Sequence, residues 1–414
     1  MRDEEGASDS SSRSSANHHA RASSSHNEFD FIRRIRQKAQ RHSDKLRRFS
    51  SSLIPHPSSL RLGIGDDAAL LRQFDGYETV ITADLLVEDI DFRRSSMPPR
   101  LLGHKALAVS LSDIAAMGAR PRWAMLSLGV PPDVWHSAFV DELYEGFFLL
   151  ADRYGVTLIG GDVSRTPEHI VIDSIVLGEA RSGRAVRRKG ARPGDHIFVT
   201  GALGGAAAGL RLLERGARLG EQVRGARLDE KPEQESHAEK AEPDHQDKKA
   251  ESERSVKSAK SERPSRAVME RLLLRQMLPF PRIEWGDYLG HNSLATAMID
   301  LSDGLSSDLA HLCEESRVGA RLQVARITVD PDLASICGRR ALDPLMLALH
   351  GGEDFELLFT IRPRDLKHLP RTINRVPATY IGDVTDECGR ITLVEGSRRW
   401  TLEPEGFQHF GRAH

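Results

Sequence analysis

HKALAVSLSDIAAMG, residues 104–118, lies between two apolar runs, TVITADLLVEDI at 79–90 and WAMLSLGV at 123–130. Within 104–118, Leu107, Leu111, Ile114 and Met117 recur at the spacing of one helix face. The 79–90 run reads as a strand ending in a polar loop. The 123–130 run reads as a buried strand stopped by Pro131-Pro132. Strand, helix and strand in this order predict a mixed α/β domain. Asp113 stands inside the helix among Leu, Ala and Met, where an isolated carboxylate is costly to bury. It admits two readings: first-turn residue behind an N-cap Ser112, or buried ligand. The apolar run before it favours the ligand.

Outward from this core, residues 134–154 form a second long helical pattern. VTLIGGD (156–162) is a strand running into glycines, and HIVIDSIVLGEA (169–180) is another strand. The first unit closes near Gly190. In ARPGDHIFVTGALGGAAAGLRLL (191–213), Pro193-Gly194-Asp195 makes a turn, HIFVT a strand, and the small residues a helix. SLATAMIDLSDGLSSDLAHLCEES (293–316) predicts a strand end, a turn and a helix. ELLFT (356–360) is a strand, and YIGDVTDECGRITLV (380–394) reads as two strands around a Cys-Gly turn. Residues 229–266 carry one valine and no other large apolar group, so they read as a flexible insertion within the second domain. Residues 1–27, rich in Ser, His and Ala, read as a disordered tail, followed by an amphipathic helix with Phe29, Phe31, Ile32 and Ile35. The expected organisation is an N-terminal domain over 28–190 and a C-terminal α/β domain over 191–414 interrupted by 229–266.

A chain of 414 residues favours two domains. The 58 Lys and Arg nearly balance 60 Asp and Glu, giving a net charge of −2 and no electrostatic support for nucleic-acid binding. The three cysteines, Cys313, Cys337 and Cys388, form no metal-binding spacing and suggest a reducing compartment. With no signal core and no membrane-length apolar run, a soluble cytoplasmic protein is expected.

Six segments place acids beside Gly or Ser at the ends of apolar runs: GIGDDAAL (63–70), ITADLLVEDIDF (81–92), ALAVSLSDIAAMGA (106–119), LIGGDVSR (158–165), MIDLSDGLSSDL (298–309) and GGEDFELLFT (351–360). Such recurrence suggests Mg²⁺ carrying phosphates at a site split across two domains. Of Asp66 and Asp67, only one is expected to aim into a site. Asp300 and Ser302 can share a strand face, with Asp303 at the start of the next helix. Of Glu353 and Asp354, one can orient a ligand while the other secures the turn. Lys105 and Arg188 are candidates to provide positive charge for phosphate, but Lys105 reads most simply as a solvated helix residue, and Arg188 is poorly distinguished within the basic run 184–189. There is no GxxxxGK[ST] loop, no kinase HRD or DFG set and no dinucleotide fingerprint.

Taken in order, GIGDDAAL, T-x-D-x-LVE-x-x-x-F, KALAVSLSDIAAMGA, LIGGD, IDLSDGLSSDL and GGEDFELLFT resemble the thiamine-monophosphate kinase family, within the aminoimidazole-ribotide synthetase-like ATP-using proteins. The resemblance runs from about Glu28 to Phe410, apart from the insertion. It implies a two-domain α/β fold and a homodimer whose N-terminal domains build a shared β-barrel. It also implies ATP-dependent, Mg²⁺-assisted phosphorylation of thiamine monophosphate to thiamine diphosphate. Carried over residue by residue, the metal ligands are Asp67, Thr82, Asp84, Asp113, Asp162, Asp300 and Asp303, with Asp84, Asp113 and Asp303 central to catalysis. Gly161, Arg188 and Ser302 match nucleotide contacts, and Tyr154 lies near the place of an aromatic nucleotide contact. Asp91, Glu353 and Phe407 match substrate contacts, although the family often has His at the position of Asp91. The competing readings are another ATP-using enzyme of the superfamily with a different acceptor, or a non-catalytic nucleotide- or thiamine-phosphate-binding protein. If 229–266 is a solvated spacer, its deletion leaves the turnover number within about twofold of the full chain. A large loss in kcat contradicts that reading.

Overall fold

The computed structural model describes residues 37, 60–62, 66–72, 76–220, 264–337 and 342–407. The expected tail at 1–27, nearly all of the expected helix after it, and 229–263 of the expected insertion lie outside the described residues. Ser265 caps a helix beginning at Arg266, its hydroxyl accepting from the Val268 amide.

Two sheets organise the chain. The first contains β1 (Leu60–Leu62), β2 (Ala69–Arg72), β3 (Tyr77–Val87), β4 (Arg120–Val130), β5 (Thr157–Gly160), β6 (Val163–Arg165) and β7 (Val171–Arg181). Its order is β1-β2-β3-β7-β4-β5, with β6 also paired to β4. The second contains β8 (His196–Thr200), β9 (Ala295–Asp300), β10 (Gly319–Gln323), β11 (Leu357–Ile361), β12 (Thr372–Ile373), β13 (Val376–Thr385), β14 (Ile391–Glu395) and β15 (Arg398–Thr401). Its order is β15-β14-β10-β13-β8-β11-β9, with β12 on β13. The two strands expected within 380–394 are both present but are not neighbours. β10 lies between them, antiparallel to β13 and parallel to β14.

Between the sheets lies helix α1 (Pro99–Ala116). Pro99 starts it with a preset φ, and nearly every residue from Leu101 to Ala116 is buried. A helix buried on all sides belongs to the core of a large fold, not its surface. Ser112 and Asp113 fall in its last turns, so the N-cap reading of Ser112 fails. The 134–154 pattern divides into a short helix α2 (Pro132–Trp135) and α3 (Phe139–Tyr154). α3 packs against α1 so closely that a Cβ on Gly146 would stand 1.7 Å from the Arg100 carbonyl oxygen. From the other side, helices α4 (Gly205–Glu214), α5 (Arg266–Met277) and α6 (Ile283–His291) follow β8 in the chain. A Cβ on Gly286 of α6 would meet the Ala115 carbonyl oxygen at 2.1 Å. Helix α7 (Leu305–Ser316) follows β9; two short helices, α8 (Leu333–Cys337) and α9 (Pro344–His350), precede β11.

Alternation in the strands decides what faces α1. On β3, Thr82 and Asp84 share the inner face, and Asp84 is in register with Ser174 of β7. The outer face carries Ile81, Ala83 and Leu85, in register with Leu177, Ile175 and Asp173 of β7. Among the described residues no helix is long and apolar enough to cross a membrane.

Polar ties fix α1 to the second unit. His104 Nε2 lies 2.7 Å from the Pro279 carbonyl oxygen, and its ring meets Phe280 edge-on at 5.2 Å. Burial pushes the His104 pKa down to about 4, from 6.5. The neutral ring is therefore the folded species. The stability tied to it is present above pH 6.5 and lost as the pH falls toward 4. His104→Gln keeps a neutral donor to Pro279. Urea unfolding at pH 7 and pH 4.5 is expected to show the variant losing about 2 kcal/mol less than wild type over that interval. Equal losses contradict the assignment.

Candidate active site

The inner faces of β3 and α1, the turn before β2 and the end of β9 converge on one pocket of carboxylates. Carboxylate oxygens of Asp67, Asp113 and Asp300 lie within 4.8 Å of one another. The Thr82 hydroxyl donates to Asp113 Oδ2, and Ser112 Oγ donates to Asp300 Oδ2 at 2.6 Å. Poor solvation, then the charges of Asp84, Asp300 and Asp67, hold Asp113 well above the usual carboxylate range. Burial, followed by Asp67, pushes Asp300 up to about 7, and burial lifts Asp84 to about 6. Among the described residues, one buried oxygen each of Asp67 and Asp84 has no hydrogen-bond partner.

Arg188 is the counter-charge. Its Nη2 and Nε donate to Asp67 Oδ1 at 2.5 and 3.1 Å, and its amide donates to Asp66 Oδ1 at 3.2 Å. Geometry thus singles out Arg188 from its basic run, and it is Asp67, not Asp66, that enters the cluster. One guanidinium against this many acids leaves orphaned oxygens and mutual repulsion. A hard divalent cation with oxygen ligands, such as Mg²⁺, fits that deficit.

The DLSDG turn closes the site from the second unit. Asp300 ends β9; Asp303 comes just before Gly304, the N-cap of α7. Asp303 is outside the group of three clustered acids. Its amide and that of Gly304 donate to Asp308 Oδ2 at 3.2 and 3.0 Å. Asp308, which sequence reasoning missed, is thus the acid that shapes this turn. Its signal was an acid in the first turn of the helix, where free amides need an acceptor.

The GGEDF turn is bonded to the same segment. The Glu353 amide donates to the Ser302 carbonyl at 2.8 Å and the Phe355 amide to the Leu301 carbonyl at 2.9 Å. Asp354 secures the turn, accepting from the Gly204 and Ala206 amides at 2.7 and 3.2 Å. Lys105 is fully buried, and its Nζ is 2.6 Å from Glu353 Oε1. The expectation of a solvated lysine fails because α1 has no solvent face.

Other carried-over residues are placed differently. Asp162 is exposed, accepting from Ser164 Oγ at 3.3 Å, and is outside the clustered three. Gly161 has φ +148°, and a Cβ there would stand 1.9 Å from the Leu126 carbonyl oxygen, so no side chain fits. The Tyr154 hydroxyl donates to the Pro281 carbonyl at 3.1 Å, tying α3 to the segment before α6. Asp91 Oδ2 accepts from the Val87 amide at 2.8 Å and closes the turn after β3. Phe407 is 51% exposed, and its amide donates to the Asp303 carbonyl at 3.2 Å.

Comparison with known proteins places this geometry. Residues 65–180 match the N-terminal domain of AIR synthase related protein, and residues 192–394 match the C-terminal domain. Thiamine-monophosphate kinase of Escherichia coli strain K12 is 34% identical over 358 residues, covering 85% of this chain and 92% of the relative. That of Bacillus subtilis strain 168 is 33% identical over 362 residues, covering 86% and 95%. Among solved structures, AaThiL complexed with AMPPCP and TMP is 28% identical with a TM-score of 0.67, covering 92% of this chain and 97% of that one. Thiamine-monophosphate kinase from Stenotrophomonas maltophilia K279a is 33% identical with a TM-score of 0.61, covering 88% and 96%. The chain belongs to the AIR synthase related family and, within it, to the thiamine-monophosphate kinases.

Proposed function

We infer that this protein transfers the γ-phosphoryl group of ATP to thiamine monophosphate, giving thiamine diphosphate and ADP. The observation that carries this reading is the convergence of Asp67, Asp113 and Asp300 on one point, beside Arg188, in a chain of this family. A phosphate oxygen of thiamine monophosphate attacks the γ-phosphorus as the bond to the ADP oxygen breaks. That oxygen is already anionic near neutral pH, so no strong protein base is needed and positioning carries the chemistry.

In this reading Mg²⁺ is held by Asp67, Asp84, Asp113 and Asp300, with Thr82 beside them and Asp162 and Asp303 supplying further oxygens. When bound, the metal would supply positive charge that offsets the charge of the transferring phosphoryl group. Arg188 pairs with Asp67 and offers its remaining donors to phosphate. Gly161 leaves room for the nucleotide to approach the backbone, with Ser302 and the Tyr154 ring as further contacts. Glu353 and Phe407 flank the 301–303 turn and meet the acceptor; Asp91 is the third acceptor contact. Asp84, Asp113 and Asp303 are the acids most directly engaged in transfer.

We also propose that the chain works as a homodimer, with residues 28–190 and 191–414 as its two domains. Support for the dimer comes from the outer face of the first sheet, where Leu85 is 56% and Ile159 55% exposed, alongside Ala83, Ile175 and Leu177. Two such faces closing on each other give the shared barrel. The near-neutral charge and the absence of disulfides among the described cysteines fit a cytoplasmic enzyme that binds no nucleic acid.

Thiamine diphosphate formed from thiamine monophosphate, ATP and Mg²⁺, followed by liquid chromatography, tests the activity. Asp300→Asn and Asp113→Asn are each expected to lower kcat by at least about a hundredfold. Their melting temperatures without Mg²⁺ are expected to equal or exceed wild type, because each removes a charge repelled by its neighbours. Near-wild-type turnover in either variant removes that residue from the site. Leu85→Lys is expected to shift the protein from dimer to monomer in size-exclusion chromatography with light scattering. An unchanged dimer excludes this face as the interface.

A further inference from the structure

Three elements meet at the carboxylate of Glu353. Lys105, on α1, is 0% exposed and places Nζ 2.6 Å from Glu353 Oε1. Gln276, on α5 and 3% exposed, donates its Nε2 to Glu353 Oε2. The backbone of Glu353 is bonded to the Ser302 carbonyl at 2.8 Å and has φ +63°, a conformation non-glycine residues rarely adopt. Both carboxylate oxygens are therefore held from the interior, while 29% of the side chain is open on its outer side.

Stability alone does not account for this arrangement. Burying an ammonium carries a large desolvation cost, and apolar replacements of buried ion pairs are often neutral or stabilising. Non-glycine residues held at left-handed φ cluster at ligand sites and switch regions. Here the turn shares hydrogen bonds with 301–303, the segment whose Asp303 carbonyl also receives the Phe407 amide. The open edge of Glu353 and the exposed Phe407 thus border the same turn.

We propose that Lys105 and Gln276 are positioning residues that set the Glu353 carboxylate for the thiamine part of the acceptor. That part is a cationic, amine-bearing heteroaromatic group. This inference rests on the proposed kinase reading. Lys105 acts through Glu353 and touches no reacting atom.

The test is a double-mutant cycle in the full-length protein, with kcat and KM measured separately for thiamine monophosphate and ATP. Wild-type turnover comes first: if wild type makes no thiamine diphosphate, the kinase reading itself falls. Given that activity, Lys105→Met is expected to raise KM for thiamine monophosphate about tenfold while KM for ATP stays within about twofold. Adding Lys105→Met to Glu353→Gln is expected to cost nothing further, because the lysine acts through the lost carboxylate. Gln276→Met, which keeps the volume, is expected to give the same split in smaller measure, and it stands in if Lys105→Met does not fold. Equal rises in both KM values overturn the proposal. So do additive effects in the double variant or, where Lys105→Met cannot be measured, an unchanged KM for thiamine monophosphate in Gln276→Met.

Discussion

The structure depends on a helix with no solvent face. Because α1 is buried between the two sheets, each polar group on it needs a partner from elsewhere in the chain. His104 meets Pro279, Lys105 meets Glu353, Ser110 donates to the Ser174 carbonyl, Ser112 meets Asp300 and Asp113 meets Thr82. Three of those five partners come from the second unit. The same contacts that satisfy the helix therefore dock the units, and the carboxylates come together where they dock.

This location explains the electrostatics. Burial raises the cost of each carboxylate charge, and Asp67, Asp84, Asp113 and Asp300 then repel one another. In a water-poor cleft, charge interactions act more strongly than at the surface. The site is thus poorly balanced by protein alone, with Arg188 as the cation against Asp67. Such an imbalance favours a ligand bringing both a metal and phosphates over either one alone. Gly146 and Gly286 let α3 and α6 approach the α1 backbone closely.

Much of this was legible in the sequence because it follows from period and punctuation. The α1 pattern, the β3 alternation that puts Thr82 and Asp84 on one face, and the strand-to-turn passage at Asp300 are local signals. The clustering of Asp67, Asp113 and Asp300, spread over more than 230 positions of chain, was suggested only by repeated acids beside glycines. What was not legible depended on tertiary burial. Lys105 looked solvated because a lysine on a helix usually is; its burial follows from the packing of α1 on every side, which comes from elements distant in the chain. The β10 strand inserted between β13 and β14 is a long-range pairing that no turn signal announces. Asp308 was passed over because the acids around it looked more like ligands.

We propose that the carboxylates gathered by α1 form a divalent-cation site for the nucleotide. Mn²⁺, followed by electron paramagnetic resonance while titrated into the full-length protein with ADP, tests it most directly. Wild type is expected to bind Mn²⁺ saturably, and Asp300→Asn to lose or markedly weaken that binding. Identical Mn²⁺ isotherms for the two proteins would contradict it.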